Sequence, residues 1–212
     1  MSTPPRGPEH DPVNSPEAAS RCPEQWQAAK GAREQLIGAT YDQRERADGV
    51  AAQAVLAQAD CEAGEFARWT IDAGPQAMVT AELAGSRRQY QTALNLYQEV
   101  ASTHEGEFRV LALTGAARLH MHFADKLAGL PMPSDTRDSA GRRQWTLQQL
   151  ELGQYFASEA QAAASAAVDL VGDAPGGGGE LAQAWAQCCQ ILAAVDPRGR
   201  PAACGHSPGG QP

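Results

Sequence analysis

Apolar residues recur every three or four positions through two consecutive segments between Ala77 and Pro133. One face of the first segment carries Val79, Leu83, Tyr90, Leu94 and Tyr97. The second segment repeats the spacing with Leu111, Gly115, Leu119, Phe123, Leu127 and Leu130. A short polar stretch, Ser102 to Gly106, separates them. This pattern predicts two amphipathic helices packed as antiparallel neighbours.

Gly115 is the one residue in this pair that local propensity disfavours. A glycine inside a helix costs about 1 kcal/mol relative to alanine. A close contact with a neighbouring helix would compensate for this cost, so the sequence predicts such a contact at Gly115.

Residues 24–73 also carry apolar residues at helical spacing, which continues through Trp69 and Ile71 to a break at Gly74-Pro75. A polar stretch from Asp42 to Asp48 interrupts the apolar pattern without a helix-breaking residue. The pattern therefore predicts helix throughout, and it leaves open whether the segment forms one bent helix or two.

After the central pair, Ser134-Asp135 offers an N-cap for a long helix that begins near Thr136 and ends at Gly172. A helix of about 35 residues is about 50 Å long, so it should overhang its neighbours. The glycines at 176–179 predict a flexible linker. A last amphipathic helix should follow and end before Pro197.

Composition divides the chain into three parts. Residues 1–22 are rich in proline and polar residues, and residues 198–212 are rich in glycine and proline. Both predict disordered arms around one helical domain, residues 23–197. Valine, isoleucine and threonine form no alternating runs, which predicts an all-α fold without a sheet. With only 6% aromatic residues, we expect a core of alanine and leucine instead of large rings.

Charge and hydropathy exclude two classes of partner. The formal net charge is -8 and the pI is near 5.1, and the basic residues do not cluster, which argues against nucleic acid. No run approaches the roughly 18 apolar residues of a transmembrane helix. The N-terminus also lacks the pattern of a secretory signal. These features favour a soluble, cytoplasmic protein without a transmembrane segment.

The five cysteines are odd in number and irregularly spaced, and no Cys-x-x-Cys pair occurs. They are Cys22, Cys61, Cys188, Cys189 and Cys204. A disulfide framework is therefore not expected. The adjacent pair at 188 and 189 would point about 100° apart on a helix, so we interpret these cysteines as small buried residues.

Candidate catalytic and metal residues do not combine into a site. His120 and His122 would point about 200° apart on a helix, so they cannot chelate one ion. No Glu-x-x-His pair occurs, which excludes a di-iron bundle site, and no serine has the context of a nucleophile elbow. The glycines at 176–179 lack the Lys-Ser/Thr of a phosphate loop. We predict no catalytic, metal or cofactor-binding residues and no enzymatic activity.

Parts of the chain fit the spacing of a helical repeat. Ala93, Tyr97 and Val100 match the small, aromatic, small pattern in the second helix of the tetratricopeptide repeat, and Gly115 falls where the next repeat has its glycine. The segments 93–101 and 111–133 resemble the C-terminal region of tetratricopeptide-type proteins that are abundant in myxobacteria and other deltaproteobacteria. The resemblance covers about residues 60–197. It implies antiparallel helical hairpins in a tetratricopeptide-like α-solenoid or an irregular helical bundle.

Some proteins of that type are linked to the cell envelope and to gliding motility, so the resemblance also implies an envelope location. The predicted function is a non-catalytic module that binds another protein, whose peptide or helix would lie on a concave surface. Glutamines of the long helix are compatible with such contacts: Gln144, Gln148, Gln149 and Gln154. The alternative is a structural homo-oligomer in which the long helix, residues 136–171, docks on a second copy.

Overall fold

The structure is a computed structural model that describes residues 22–172, 175, 179–197 and 202–205. Within these residues it contains six α-helices, one short 3₁₀-helix and no strand, which confirms the all-α prediction. The helices are α1 (Pro23–Gly38), α2 (Tyr41–Arg68), α3 (Gln76–Thr103), α4 (Gly106–Ala128), α5 (Ser139–Val171) and α6 (Glu180–Val195), followed by the 3₁₀-helix Ala202–Gly205.

Helix α4 is the centre of the fold, because it packs against α2, α3, α5 and α6. Residue numbers increase in the same direction along α2 and α4 where the two helices touch. Arg118 bonds Asp60, and Lys126, further along α4, bonds the carbonyl oxygen of Ala67, further along α2. These two helices are therefore parallel.

Only two residues separate α3 from α4, so these helices are antiparallel. Helix α5 is also antiparallel to α4, because Gly106 lies near Leu170 and Ala124 near Gly153. Helix α6 runs parallel to α4, because Val110 lies near Leu181 and Thr114 contacts Cys188. Helices α2, α4 and α6 thus form one parallel layer.

The central helical pair matches its prediction, and the segment before it resolves into two helices. Helix α1 ends at Gly38, and Ala39 has an extended backbone with ψ 137°. Thr40 is the N-cap of α2, and its backbone N–H donates to the side-chain oxygen of Gln43 at 3.5 Å. This capping arrangement starts a new helix instead of continuing the first.

The prediction that helix continues through Trp69 to Gly74 is wrong, because α2 ends at Arg68. The side-chain ammonium of Lys126 donates to the carbonyl oxygen of Trp69 and satisfies one of the free carbonyls at the helix end. The Trp69 ring packs on Gly85 of α3, where a β-carbon would lie 2.9 Å from the ring. These two contacts hold Trp69 outside the helix.

The predicted start of the long helix near Thr136 is also wrong, since α5 begins after Asp138. The Asp138 carboxylate accepts from the backbone N–H of Gly141 at 2.5 Å and caps the helix. Asp135 has a different role, because its carboxylate accepts from the N–H of Gln76 at 2.9 Å. That bond ties the segment before α5 to the first turn of α3.

The larger of two hydrophobic clusters contains interlocked rings, which we call the aromatic core. Its rings belong to Phe66 of α2, Tyr90 of α3, Phe123 of α4 and Phe156 of α5. Phe123 is central, with ring centroids 5.6 Å from Phe66, 4.7 Å from Tyr90 and 4.5 Å from Phe156. The expected core of alanine and leucine without large rings is therefore wrong for this part of the molecule.

The second cluster, which we call the alanine–cysteine core, lies between α4, α5 and α6. Small residues dominate it, and Trp185 is its one large ring. Its buried members are Val110, Ala117, Ala164, Ala167, Val168, Ala184, Trp185, Cys188, Cys189, Leu192 and Cys204. Here the expectation of helices that approach closely through alanine agrees with the structure.

The prediction that the cysteines form no disulfide framework is wrong, because the structure contains two disulfides. Cys22 is bonded to Cys61 and Cys189 to Cys204, with Cα atoms 6.1 Å and 5.4 Å apart. Cys188 is a buried free thiol. The antiparallel packing of α1 on α2 brings Cys22 beside Cys61 and so sets the first of these pairings. No local spacing in the sequence carries that information.

The predicted terminal arms fall mostly outside the described residues. The exceptions are Cys22 and the residues 202–205, which the two disulfides hold against the helical domain. Of the predicted glycine linker only Gly179 is described, as the N-cap of α6. None of the helices in the described part of the chain is both long and apolar enough to cross a membrane.

Candidate functional site

A groove of about 570 Å³ opens between α2, α4 and α6, and we call it the front groove. Tyr97 of α3 forms part of its floor, because this residue reaches through from the layer behind. The other lining residues are Gln53, Leu56, Ala57 and Asp60 of α2, Glu107, Phe108, Leu111, Thr114 and Arg118 of α4, and Glu180, Gln183, Ala184 and Gln187 of α6.

Three helices meet at the Asp60 carboxylate. The hydroxyl of Tyr97 donates to Asp60 Oδ1 at 2.6 Å. The guanidinium of Arg118 donates to the same oxygen at 3.0 Å. Tyr97 is only 1% exposed, whereas about half of each charged side chain faces solvent. The network therefore fixes the floor of the groove and leaves two charged groups at its surface.

Gly115 makes this network possible. A β-carbon at position 115 would lie 2.2 Å from Tyr97 Cε1, well inside contact distance. The absence of a side chain lets the Tyr97 ring lie flat against α4, with its hydroxyl directed to Asp60. This contact confirms the close helix approach that the sequence predicts at Gly115.

The electrostatics of the network keep the phenol of Tyr97 protonated. Burial raises the pKa of Tyr97, and the neighbouring Asp60 carboxylate raises it further. The phenol therefore keeps its proton at neutral pH and acts as a hydrogen-bond donor. Arg118 offsets the charge of Asp60. This arrangement stabilises the contact between α2, α3 and α4.

The walls of the groove carry amides that are available to a ligand. Within the described residues, Gln53, Gln183 and Gln187 make no side-chain hydrogen bonds to other residues. Each amide can donate and accept, so these amides can bond the main chain of an extended peptide. Glu107 and Glu180 lie near the N-terminal ends of α4 and α6, and each is exposed. The groove thus combines free amides with carboxylates.

The two candidate histidines lie on different sides of α4. His120 is buried and shares a 2.8 Å hydrogen bond between its Nδ1 and the hydroxyl of Tyr90, while His122 is exposed. Burial lowers the pKa of His120, although the charge of Glu159 partly opposes this effect. Among the described residues, no group of three or more metal-ligating side chains comes together.

A second, more apolar cavity of about 470 Å³ lies between α4 and the N-terminal half of α5. Its wall residues include Met121, Leu127, Leu130, Met132, Trp145 and Leu150. The side-chain oxygen of Gln149 is buried there without a hydrogen bond in the described part of the chain. This cavity differs from the front groove in that it presents no charged network.

The groove residues are not the ones that the sequence singled out. The glutamines expected to contact a partner lie on α5, and none of them lines the front groove. Asp60 and Arg118 are 58 residues apart. They meet because α2 and α4 are parallel and in register, which no local pattern reveals. Gly115 was the one local signal, because its helical cost implied a close contact beside the groove.

No protein-family model matches the chain, and neither the curated proteins nor the solved structures include a match to it. The resemblance to tetratricopeptide-type proteins therefore stays a prediction.

Proposed function

We propose that this protein is a non-catalytic helical module that binds an extended segment of another protein in the front groove. The observation that carries the proposal is a set of three glutamine amides on the groove walls, Gln53, Gln183 and Gln187, which make no side-chain hydrogen bond within the described residues. A parallel layer of helices that presents one continuous surface is the arrangement by which helical-repeat proteins bind peptides.

The floor supplies the apolar part of the contact. Leu56, Phe108 and Leu111 line the groove between the amides. A bound segment could bury an apolar side chain there while the amides bond its main chain. Binding sites for peptides commonly combine apolar pockets with a few polar groups that fix the orientation.

The charge of the groove favours a basic segment. Three carboxylates line it, those of Asp60, Glu107 and Glu180, against the single guanidinium of Arg118. Since Arg118 is already bonded to Asp60, the other two carboxylates are free to attract a cation. A lysine or arginine of the partner would lie at the end of the groove formed by the first turns of α4 and α6.

Selection from a library of displayed twelve-residue peptides, followed by titration with the selected synthetic peptides, tests the proposal. We expect peptides that carry an apolar residue and a lysine or arginine. The double variant Gln183→Ala/Gln187→Ala should weaken their binding about tenfold, which corresponds to two lost hydrogen bonds of about 0.7 kcal/mol each. Glu180→Gln should weaken basic peptides and make their binding less sensitive to salt.

Gln190→Ala is the matched control, because Gln190 is an exposed glutamine of the same helix that does not line the groove. It should leave the affinity unchanged. The proposal fails if no peptide is enriched, or if the selected peptides bind the double variant as tightly as the unchanged protein.

We further propose that this binding takes place in an oxidising compartment. The two disulfides support this location, since such bonds persist outside the reducing cytosol. It differs from the cytoplasmic expectation and agrees with the envelope location that the resemblance implies. The test is to quench cells that naturally produce the protein with acid, unfold the protein, alkylate its free thiols and measure its mass. We expect one alkylated thiol per chain, that of Cys188. Five reactive thiols would contradict the proposal.

A further inference from the structure

The N-terminal half of α5 extends past the end of its neighbour. A β-carbon at Gly153 would lie 3.8 Å from the carbonyl oxygen of Ala124. Because the helices are antiparallel, Ala128 at the end of α4 lies opposite about residue 149. Residues 139–148 therefore project beyond α4 by about 15 Å, at 1.5 Å per residue.

The N-terminal half of α5 presents large apolar side chains to solvent, of which Leu147 belongs to the projecting residues. Leu147 is 50% exposed, Leu150 56% and Tyr155 55%. At about 100° per residue, Leu147 lies at the centre of the outer face, with Leu150 about 60° to one side and Tyr155 about 80° to the other. An apolar face of this kind on a helix surface marks an interaction site.

Two opposite charges lie symmetrically about Leu147 on the same face. Arg143 precedes it by four residues and Glu151 follows it by four, and the three side chains line one shallow depression. Neither charge forms an ion pair within the described residues. An arginine near a helix N-terminus also gains nothing from the helix dipole, so the helix itself does not explain Arg143.

We propose that this face binds a second copy of the chain, with the two α5 helices antiparallel about a two-fold axis at Leu147. A residue four positions before the axis then faces a residue four positions after it on the other copy. Arg143 of each copy therefore meets Glu151 of the other, so the contact contains two ion pairs around two leucines. A two-fold interface requires a patch of this self-complementary kind.

The symmetric charges favour a second copy over an unrelated protein. Any apolar partner helix could cover Leu147 and Leu150, whereas a copy of α5 also places opposite charges at both ends of the contact without any further requirement on its sequence. The front groove is built from α2, α4 and α6, so it stays open in the dimer. The interface therefore does not depend on the proposed peptide binding.

Sedimentation equilibrium of the full chain over a range of concentrations tests the inference. We expect a monomer–dimer equilibrium. Arg143→Glu and Glu151→Arg should each weaken dimerisation well over tenfold, because each change places like charges opposite one another at both ends of the interface. The double variant Arg143→Glu/Glu151→Arg should restore dimers, and so should an equimolar mixture of the two single variants.

Arg142→Glu is the matched control, since it makes the same charge change about 100° away from Arg143 around the helix. It should leave the dimerisation constant within about twofold. A wild-type chain that stays monomeric at millimolar concentration would overturn the inference. It would also be overturned by single variants that dimerise normally, or by a double variant and a mixture that both stay monomeric.

Discussion

The aromatic core and the alanine–cysteine core fill the two sides of α4 in opposite ways. In the first, four rings from four helices fill the space, and Phe123 touches the other three. In the second, alanines let α4, α5 and α6 approach closely, and the disulfide Cys189–Cys204 closes the edge. The aromatic core is thus filled by large side chains, whereas the alanine–cysteine core relies on small side chains that let the helices touch.

This difference predicts opposite sensitivities. Removing atoms from the aromatic core leaves a cavity, because the surrounding helices relax only partially. Adding atoms to the alanine–cysteine core forces helices apart that are already in contact. A substitution that one core accepts should therefore damage the other, and the ordering of the measured free energies of unfolding tests the comparison.

Truncation of Phe123 should have the largest effect. Phe123→Ala removes the ring at the centre of the aromatic core and should lower the free energy of unfolding by about 3–5 kcal/mol. Urea denaturation followed by circular dichroism measures this change. Leu152→Ala, at a residue that is 43% exposed, is the control and should cost much less. Equal losses in the two variants would contradict the assignment of Phe123 to a packed centre.

Loss of a disulfide should cause the next largest decrease in the free energy of unfolding, and the decrease should differ between the two bonds. The Cys22–Cys61 bond closes a loop of 39 residues and the Cys189–Cys204 bond one of 15. On chain entropy alone, replacing both cysteines by alanine should cost about 4 kcal/mol for the longer loop and about 3 kcal/mol for the shorter. Urea denaturation of the two double variants gives the ordering. A larger loss at the shorter loop would mean that the disulfide supports packing of the alanine–cysteine core beyond its effect on chain entropy.

Enlarging a buried alanine should lower the free energy of unfolding by less than the changes above. It should nevertheless distinguish the two cores most clearly. Ala164 is fully buried between α5 and its neighbours, so Ala164→Leu should destabilise the protein by about 1–3 kcal/mol. Ala166→Leu places the same side chain at an exposed position of the same helix and should change stability by less than about 0.5 kcal/mol. If both variants were equally stable, the helices would not be in close contact at Ala164.

The sequence predicted what local periodicity determines and missed what depends on register between distant helices. The spacing of Leu111 to Leu127 predicted α4, and Gly115 predicted its close contact with α3. The aromatic core was missed because each of its four rings comes from a different helix, so no window of sequence contains two of its contacts. The front groove was missed for the same reason, since Asp60 and Arg118 meet only across parallel helices. The Cys22–Cys61 disulfide was missed as well, because it depends on the packing of α1 on α2.

The aromatic core should also respond to acid through His120. Burial holds the pKa of His120 below the usual 6.5, so the unfolded chain takes up the proton first as the pH falls. The stabilising contribution of the neutral imidazole is therefore complete above about pH 6.5 and declines below it. Protonation in the folded protein would place a charge beside Tyr90 and Phe156, where only Glu159 opposes its cost.

Urea denaturation at a series of pH values, for the unchanged protein and for His120→Gln, isolates this contribution. Glutamine does not titrate and can still bond the Tyr90 hydroxyl, so the difference between the two free energies of unfolding should be constant above pH 7. Below about pH 6.5 the unchanged protein should lose up to about 1.4 kcal/mol per pH unit relative to the variant, until the folded-state pKa is reached. His122→Gln is the control, because it makes the same substitution at an exposed histidine of the same helix. A difference that stays constant down to pH 5 would mean that His120 is protonated as readily in the folded protein as in the unfolded chain, and that the aromatic core admits water at this edge.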